Sequence, residues 1–554
     1  MVKRRMWKIA SGFGILMASA MPGTATAAND GLAPTPPMGW NSWNKFACNG
    51  INETLIKQTA DALVSSGLAA VGYVNLTLDD CWSAATRDSS GNLRADPNKF
   101  PSGMKAIGDY IHSKGLKYGI YASIGTATCT GKTPGSMDHE NQDVAKFASW
   151  GVDYIKADRC NVPTGADLAE LFGRWLPAIR ASGRPIVLSA SDNGGVQEPW
   201  SWGPYAAHQW RTTGDIRDNW ARVLSVFDGN ARFPGATVPG GFNDPDMLEI
   251  GNGGLTDTEY RSHMGLWALV SSPLIAGNDV RSMSSATKAI LTHPEVLDID
   301  QDALAYQAIK AADDGAGRQV WYKPTRQRGA RAVGLFNRGD STATISVSWS
   351  QIGLSAGSAT VRDVWARADR GTFTNAYSVN VPAHGLALLR IVGTDPPLVS
   401  GYLSDQPWAY SANGWGPVER NKSNGEKAAG DGKTLTLAGT TYTKGFGVHS
   451  PSAISFRPNG GCSTFTANVG IDDEVSSAAA SAIFQVWGDG KLLYDSGVMK
   501  AGSATKSVSV DISGRTDLRL EVAGGADTTN SDHADWANAR VTCAAAATAT
   551  VLDE

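Results

Sequence analysis

The stretch Trp150-Gly-Val-Asp-Tyr-Ile-Lys-Ala-Asp158 holds a short apolar strand candidate, 154–156, with a carboxylate just past its end. The same texture recurs at 38–40, 73–78, 117–121, 186–189, 209–211, 241–243 and 273–276. Helix-like runs lie between the second and seventh of these candidates. Another, 54–66, precedes the second and sets Ile56, Ala60, Leu63 and Val64 on one face. Eight such units within about 270 residues predict a (β/α)8 TIM barrel, whose usual size is roughly 250 residues. We place it at 28–306. Acids follow several of the strands: Asp79 and Asp80, Asp158, Asp192 and Asp215. In such barrels the C-terminal strand ends carry the chemistry.

The bulk numbers bound the rest. The chain has 554 residues, 42% hydrophobic and 18% charged, which suffices for several cores; at about 150 residues per domain it suggests two to four domains. A net charge of −4 offers no broad basic field for nucleic acid or an anionic membrane surface. The 18 Trp and 62 Gly against 49 Lys and Arg suit aromatic platforms and β-rich folds, although Trp is also common in plain cores. Lys3, Arg4, Arg5 and Lys8 precede an apolar stretch, 9–21, too short to span a bilayer, and Ala25-Thr-Ala27 offers a small-x-small cleavage pattern. Residues 1–27 therefore read as a secretory signal peptide, and the expected location is extracellular. No later segment is apolar for about 20 residues, so no membrane anchor is expected.

Cysteines stand at 48, 81, 129, 160, 462 and 543. An even set in an exported chain suggests disulfides, and without a CxxC pair a zinc site is not expected. Six cysteines permit fifteen connectivities. Cys48–Cys81, Cys129–Cys160 and Cys462–Cys543 is the pairing that keeps each bridge within one presumed domain.

After the barrel the pattern alternates at 319–322, 332–336, 342–349, 359–363, 377–381 and 386–391, with Gly, Asp, Asn and Pro between, as in an antiparallel β domain over 307–392. Gly393-Thr-Asp-Pro-Pro397 reads as a linker. Residues 398–544 again alternate and predict a second β-sandwich. The Ala/Thr-rich end, 545–554, reads as a disordered tail.

Glycoside hydrolysis needs two carboxylates, one at the anomeric carbon and one at the leaving oxygen. Asp158 and Asp215 are candidates by position; the bland alternative is that each caps the next turn. Lys156, Arg211, Trp40 and Trp82 at neighbouring strand ends favour the functional reading. The segments Pro37-Met-Gly-Trp-Asn-Ser-Trp43, Leu78-Asp-Asp-Cys-Trp82, Trp210-Arg-Thr-Thr-Gly-Asp-Ile216 and Asn243-Asp-Pro-Asp-Met-Leu248, in this order, resemble the family-27 glycoside hydrolases, the α-galactosidases and α-N-acetylgalactosaminidases. The resemblance implies Asp158 as nucleophile and Asp215 as acid/base. It implies Trp40 stacking on the sugar face, and Asp79, Asp80, Lys156 and Arg211 meeting its hydroxyls. It also supports the two barrel disulfides, needs no cofactor and no metal in the catalytic site, and names a galactose-like oligosaccharide or polysaccharide as partner.

Two departures touch the glycone. Relatives carry an acid where this chain has Ser123 in Tyr121-Ala-Ser-Ile-Gly125. They carry Cys-Glu-Trp where it has Ser191-Asp-Asn193, so Ser191 and Asp192 become the substrate-binding candidates after the fifth strand. A β-L-arabinopyranosidase is the alternative within the family. A non-catalytic carbohydrate-binding protein is the alternative of another class, opposed by the intact Asp158 and Asp215.

Lys444-Gly-Phe-Gly-Val-His449, Gly470-Ile-Asp-Asp-Glu474 and Asp532-His-Ala-Asp-Trp536 resemble NPCBM modules, family-51 carbohydrate binders. That implies a sugar-binding β-sandwich that can hold calcium. Asp472, Asp473 and Glu474 can supply oxygen ligands or simply form a solvated turn. Trp408, Trp415 and Trp536 are the stacking candidates, and a module on a linker should be removable without loss of turnover on small substrates.

Overall fold

The computed structural model describes residues 30–192, 194–525 and 528–544. The signal-peptide and tail expectations, 1–27 and 545–554, lie outside the described residues.

Eight parallel strands form one curled sheet: β1 (Met38–Asn41), β2 (Asn75–Leu78), β3 (Lys117–Ser123), β4 (Tyr154–Asp158), β5 (Val187–Ser191), β6 (Gln209–Arg211), β7 (Phe242–Asp244) and β8 (Leu274–Ala276). They run in the order β7-β6-β5-β4-β3-β2-β1-β8, and a parallel bridge between Leu248 and Ala276 joins the two ends. All eight sequence candidates are strands, offset by a residue or two. Six of the eight are buried along their whole length, as expected where helices cover a parallel sheet on one face and barrel packing fills the other. The helix expected at 54–66 spans Glu53–Ser65, and Asn52 caps it by accepting a hydrogen bond from Leu55 N.

The next domain pairs a six-stranded antiparallel sheet with a two-stranded one. The strands are β9 (Ile309–Asp313), β10 (Arg318–Pro324), β11 (Ala330–Asn337), β12 (Ala343–Ser348), β13 (Ser358–Asp363), β14 (Ala368–Thr374), β15 (Ala376–Val381) and β16 (Leu386–Val392). The large sheet runs β14-β13-β16-β11-β10-β9. The sequence reading omits β9 and β14. Both are edge strands without a buried side chain, so neither carries the apolar alternation that marks a half-buried strand. The domain docks on the barrel helix Asp257–Leu269. There a Cβ on Gly334 would lie 2.5 Å from Leu269 Cδ1, so any larger residue would have to displace the Leu269 side chain.

The C-terminal module is a sandwich of two antiparallel sheets around one apolar core that includes Phe446, Phe465, Phe484 and Trp536. It does not hang free. Asp395, in the segment read as a linker, is buried and pairs with buried Arg331 at 2.9 Å while accepting from Gly329 N. Across the seam Arg519 donates to Thr237 O (2.6 Å), Tyr306 to Asp517 Oδ2 (2.9 Å), Tyr410 to Gln307 O (2.8 Å) and Arg457 to Thr325 O (2.7 Å). Leu304 and Tyr306 share an apolar cluster with Tyr410, Ala412 and Ala453. The segment read as a linker, 393–397, is thus packed through Asp395, and the three domains share buried seams.

Candidate active site

The strand ends converge on a cavity of about 110 Å³ lined by Trp43, Asp79, Asp80, Tyr121, Lys156, Asp158, Arg211, Asp215, Asp246 and Met247, among others. Its size suits one terminal sugar unit rather than the middle of a chain.

Asp79 and Asp80 follow β2 and are both buried. Two adjacent carboxylates repel, so each needs donors. Asp79 Oδ2 accepts from Asn41 Nδ2 (2.6 Å) and pairs with Lys156 Nζ (2.8 Å). Asp80 Oδ1 accepts from Cys81 N (2.6 Å), and Cys81 adopts φ 75° to turn that amide back. Burial, and then the charge of Asp79, still raise the Asp80 carboxyl above its ordinary value.

Lys156 and Asp158 stand two residues apart on β4. In register, Asp158 lies between Ser123 of β3 and Ser191 of β5. Its Oδ2 is 3.4 Å from the sulfur of Cys129, and its Oδ1 has no hydrogen-bond partner. Burial pushes the Asp158 carboxyl up to about 6; Lys156 and Arg211 oppose that shift, and Asp79 and Asp215 add to it. Burial works against the Lys156 ammonium, but Asp79, Asp158 and Asp246 outweigh it and hold the group charged above its ordinary range.

Arg211 ends β6 and ties the other side together. Its Nη2 lies 3.2 Å from Asp215 Oδ1 and its Nη1 3.1 Å from Asp246 Oδ1. Asp246 in turn accepts from Ile216 N and Met247 N, both at 2.8 Å. The two candidate catalytic acids therefore differ in setting: Asp158 is buried, whereas the Asp215 side chain is 62% exposed at the mouth.

Three residues expected to meet the sugar lie off the cavity wall. Trp40 is fully buried, donates from Nε1 to Asn278 O (2.7 Å) and packs against Phe46, so its ring is not among the residues that line the cavity. The wall is made instead by Trp43. Trp40 lies within β1 and belongs to the barrel packing, whereas Trp43 lies beyond the strand's C-terminal end, where barrel sites form. Ser191 and Asp192 are buried and do not line the cavity. Asp192 Oδ1 is 3.6 Å from Arg159 Nε, and burial lifts its carboxyl to about 7 against that arginine. Ser123 likewise stays off the wall, donating to Cys160 O (3.0 Å). Tyr121, Asp246 and Met247 were absent from the sequence candidates, although Asp246 sits two residues past the end of β7, a position typical of barrel sites.

The expected disulfides Cys48–Cys81, Cys129–Cys160 and Cys462–Cys543 are all formed. Cys129, Cys160 and Asp158 place ligand-type atoms within 4.8 Å of one another, but the bridged sulfurs leave no thiolate to hold a metal. In the module, Asp472 accepts from Thr436 N and Glu474 N, Asp473 accepts from Ala438 N and Gly439 N, and Glu474 bonds His533. These acids pin turns, which accounts for them without a calcium ion.

A family model described as "Alpha galactosidase A" matches residues 35–302. "Alpha galactosidase C-terminal beta sandwich domain" matches 315–391, and "NPCBM/NEW2 domain" matches 400–542. The chain is 50% identical to an α-galactosidase of Oryza sativa subsp. japonica over 341 residues, 61% of this chain and 81% of that one. Crystalline α-galactosidase I from Mortierella vinacea aligns with a TM-score of 0.64 at 36% identity, over 66% of this chain and 99% of its own. A β-L-arabinopyranosidase from Geobacillus stearothermophilus aligns with a TM-score of 0.60 at 26% identity, over 66% and 97%. With its strand-end carboxylates in these places and this extent of shared sequence, the chain belongs to the family-27 α-galactosidases, glycoside hydrolases that act on terminal α-galactosyl residues.

Proposed function

We propose that the enzyme works outside the cell and removes α-D-galactosyl ends of oligosaccharides or polysaccharides by double displacement with retention. The carrying observation is the contrast between Asp158, buried with an unpartnered Oδ1, and Asp215, exposed at the mouth in contact with Arg211. A buried carboxylate facing the sugar suits attack on the anomeric carbon. An exposed one suits proton delivery to a departing aglycone and, in the second step, proton removal from the incoming water. Asp79 and Lys156 would hold sugar hydroxyls, with Trp43 covering an apolar ring face. The family needs no cofactor for this chemistry. Support for export is the basic and apolar N-terminal pattern together with six cysteines all paired.

Following the first product by NMR tests the mechanism: α-galactose should form first and mutarotate later, and β-galactose first would refute retention. Activity on p-nitrophenyl α-D-galactoside should exceed that on the N-acetyl-α-D-galactosaminide and the β-L-arabinopyranoside. The β-L-arabinopyranosidase reading rests on small changes around Ile124 and Asp79; Ile124 is buried off the cavity wall, whereas Asp79 lines the cavity.

A further inference from the structure

Glu249 is buried two residues past Met247, a cavity-wall residue, and no basic side chain pairs with it among the described residues. Its backbone is pinned where the barrel closes. Leu248 N donates to Ile275 O (2.8 Å), Gly277 N to Leu248 O (2.9 Å) and Glu249 N to His263 Nε2 (3.1 Å). From that fixed point the carboxylate reaches two asparagines on separate segments. Its Oε1 accepts from Asn44 Nδ2 (2.7 Å) and its Oε2 from Asn252 Nδ2 (2.5 Å).

A buried carboxylate without a counter-ion is costly. Burial pushes the Glu249 carboxyl up to about 7; the charges of Asp218 and Asp246 add to the shift, and the Asn252 and Asn44 amides oppose it. A glutamine would fill the same space without the charge, so the acid supplies something an amide lacks. The difference lies in the acceptors: a carboxylate offers two oxygens, a carboxamide one oxygen and one NH2 group. Two amide donors need the acid, because with glutamine one of them would face an NH2.

Asn44 stands near the start of the helix Trp43–Gly50 and, with Trp43, lines the catalytic cavity. It is half-buried, and among the described residues no hydrogen bond engages its Oδ1. Nor does it bond Asp158 or Asp215, so it stands apart from the acids of the reaction. An ionised Glu249 can only accept, so Nδ2 is turned toward it and the free end of the Asn44 amide is an acceptor. A sugar hydroxyl is a donor that suits such an atom.

We propose that Glu249 is a positioning residue for the galactosidase reaction: it fixes the Asn44 amide so that Oδ1, and not Nδ2, meets a hydroxyl of the bound glycoside. The inference rests on the galactoside-hydrolase reading of the cavity and adds to it a contact on the β1 side, separate from the strand-end acids. Asn252, on the second oxygen, holds the carboxylate itself in line, as a supporting shell does for a group that touches substrate.

Steady-state kinetics of the full chain on p-nitrophenyl α-D-galactoside test it. Asn44→Ala removes the contact and should raise KM about three- to tenfold with kcat within about twofold, the pattern of a bond made equally in ground and transition states. Glu249→Gln keeps the volume but turns an NH2 toward Asn44, whose amide then flips and shows Nδ2 to the sugar. KM should rise to a similar extent. Combining Asn44→Asp with Glu249→Gln reverses the clamp: the new amide donates to the new carboxylate, whose second oxygen is again an acceptor for the cavity. KM should then return to within about twofold of the parent. An unchanged KM in Asn44→Ala or in Glu249→Gln would overturn the proposal, as would a double variant no better than Glu249→Gln. A fall in kcat at parental KM would make Glu249 a prop of the fold and overturn it too. If Glu249→Gln fails to fold, the double variant, in which every clamp atom has a partner, carries the test: parental KM supports the clamp and a raised KM overturns it. Hydrolysis by the parent is read first, so a failed catalytic reading shows there and a failed clamp only in the variants.

Discussion

Lys156 Nζ on β4 lies 2.8 Å from Asp79 Oδ2 just past β2, so the ion pair spans β3 and joins two strand ends rather than two residues of one strand. Lys156 and Asp158 share a face of β4, and the ammonium still favours the ionised nucleophile through space, though less than burial opposes it. Asp158, the proposed nucleophile, is thus poised at a raised value.

That setting predicts the acid limb of the pH profile. Asp158 attacks only when ionised, so kcat/KM, which reports the free enzyme, should fall as pH drops through about 6. Lys156→Met removes a cation that lowers this value, so the limb should move toward neutral pH. A limb that stays in place in the variant would mean that Lys156 does not act on Asp158.

Asp158→Ala should cut turnover on the order of 10⁴-fold or more. Asp158→Gly should regain activity with added azide and release a galactosyl azide of inverted configuration. Normal turnover in the alanine variant would remove Asp158 from the nucleophile role.

Asp215→Ala should reduce hydrolysis of poor leaving groups by about 10²–10⁴-fold and spare activated aryl galactosides, which need little protonation. The ratio of kcat/KM on the two substrates is the readout. Equal losses would mean that Asp215 is not the acid.

Asp395→Ala should strand the buried Arg331 guanidinium, at a cost of about 3–5 kcal/mol, seen as a lower denaturation midpoint. A midpoint unchanged from the parent would show the connecting segment to be a passive tether.

Removing 398–554 should now depress activity on small and polymeric substrates together. The cut uncovers Tyr306 and Leu304, which pack on the module, and leaves Thr237 O without its partner Arg519. A truncated enzyme with full turnover on an aryl galactoside would restore the tethered-module picture.

The sequence by itself determined the barrel, because eight apolar strands with acids beyond their ends follow from local patterning that a single chain displays. Strand-end position marked Asp79, Asp80, Asp158, Asp192 and Asp215, and the family resemblance assigned roles beside them to Lys156 and Arg211; all but Asp192 line the cavity. Only the tertiary structure decided which tryptophan lines the cavity. Trp40 and Trp43 differ by three residues, yet the end of β1 falls between them, and that boundary depends on pairing with β2 and β8. The exclusion of Ser191 and Asp192 from the wall depends likewise on how the chain leaves β5. The fusion of the module was illegible for the same physical reason: Arg519 and Thr237, or Tyr306 and Asp517, lie more than 200 residues apart. Their complementarity exists in distance, burial and charge, and none of these has a periodicity that a linear reading can detect.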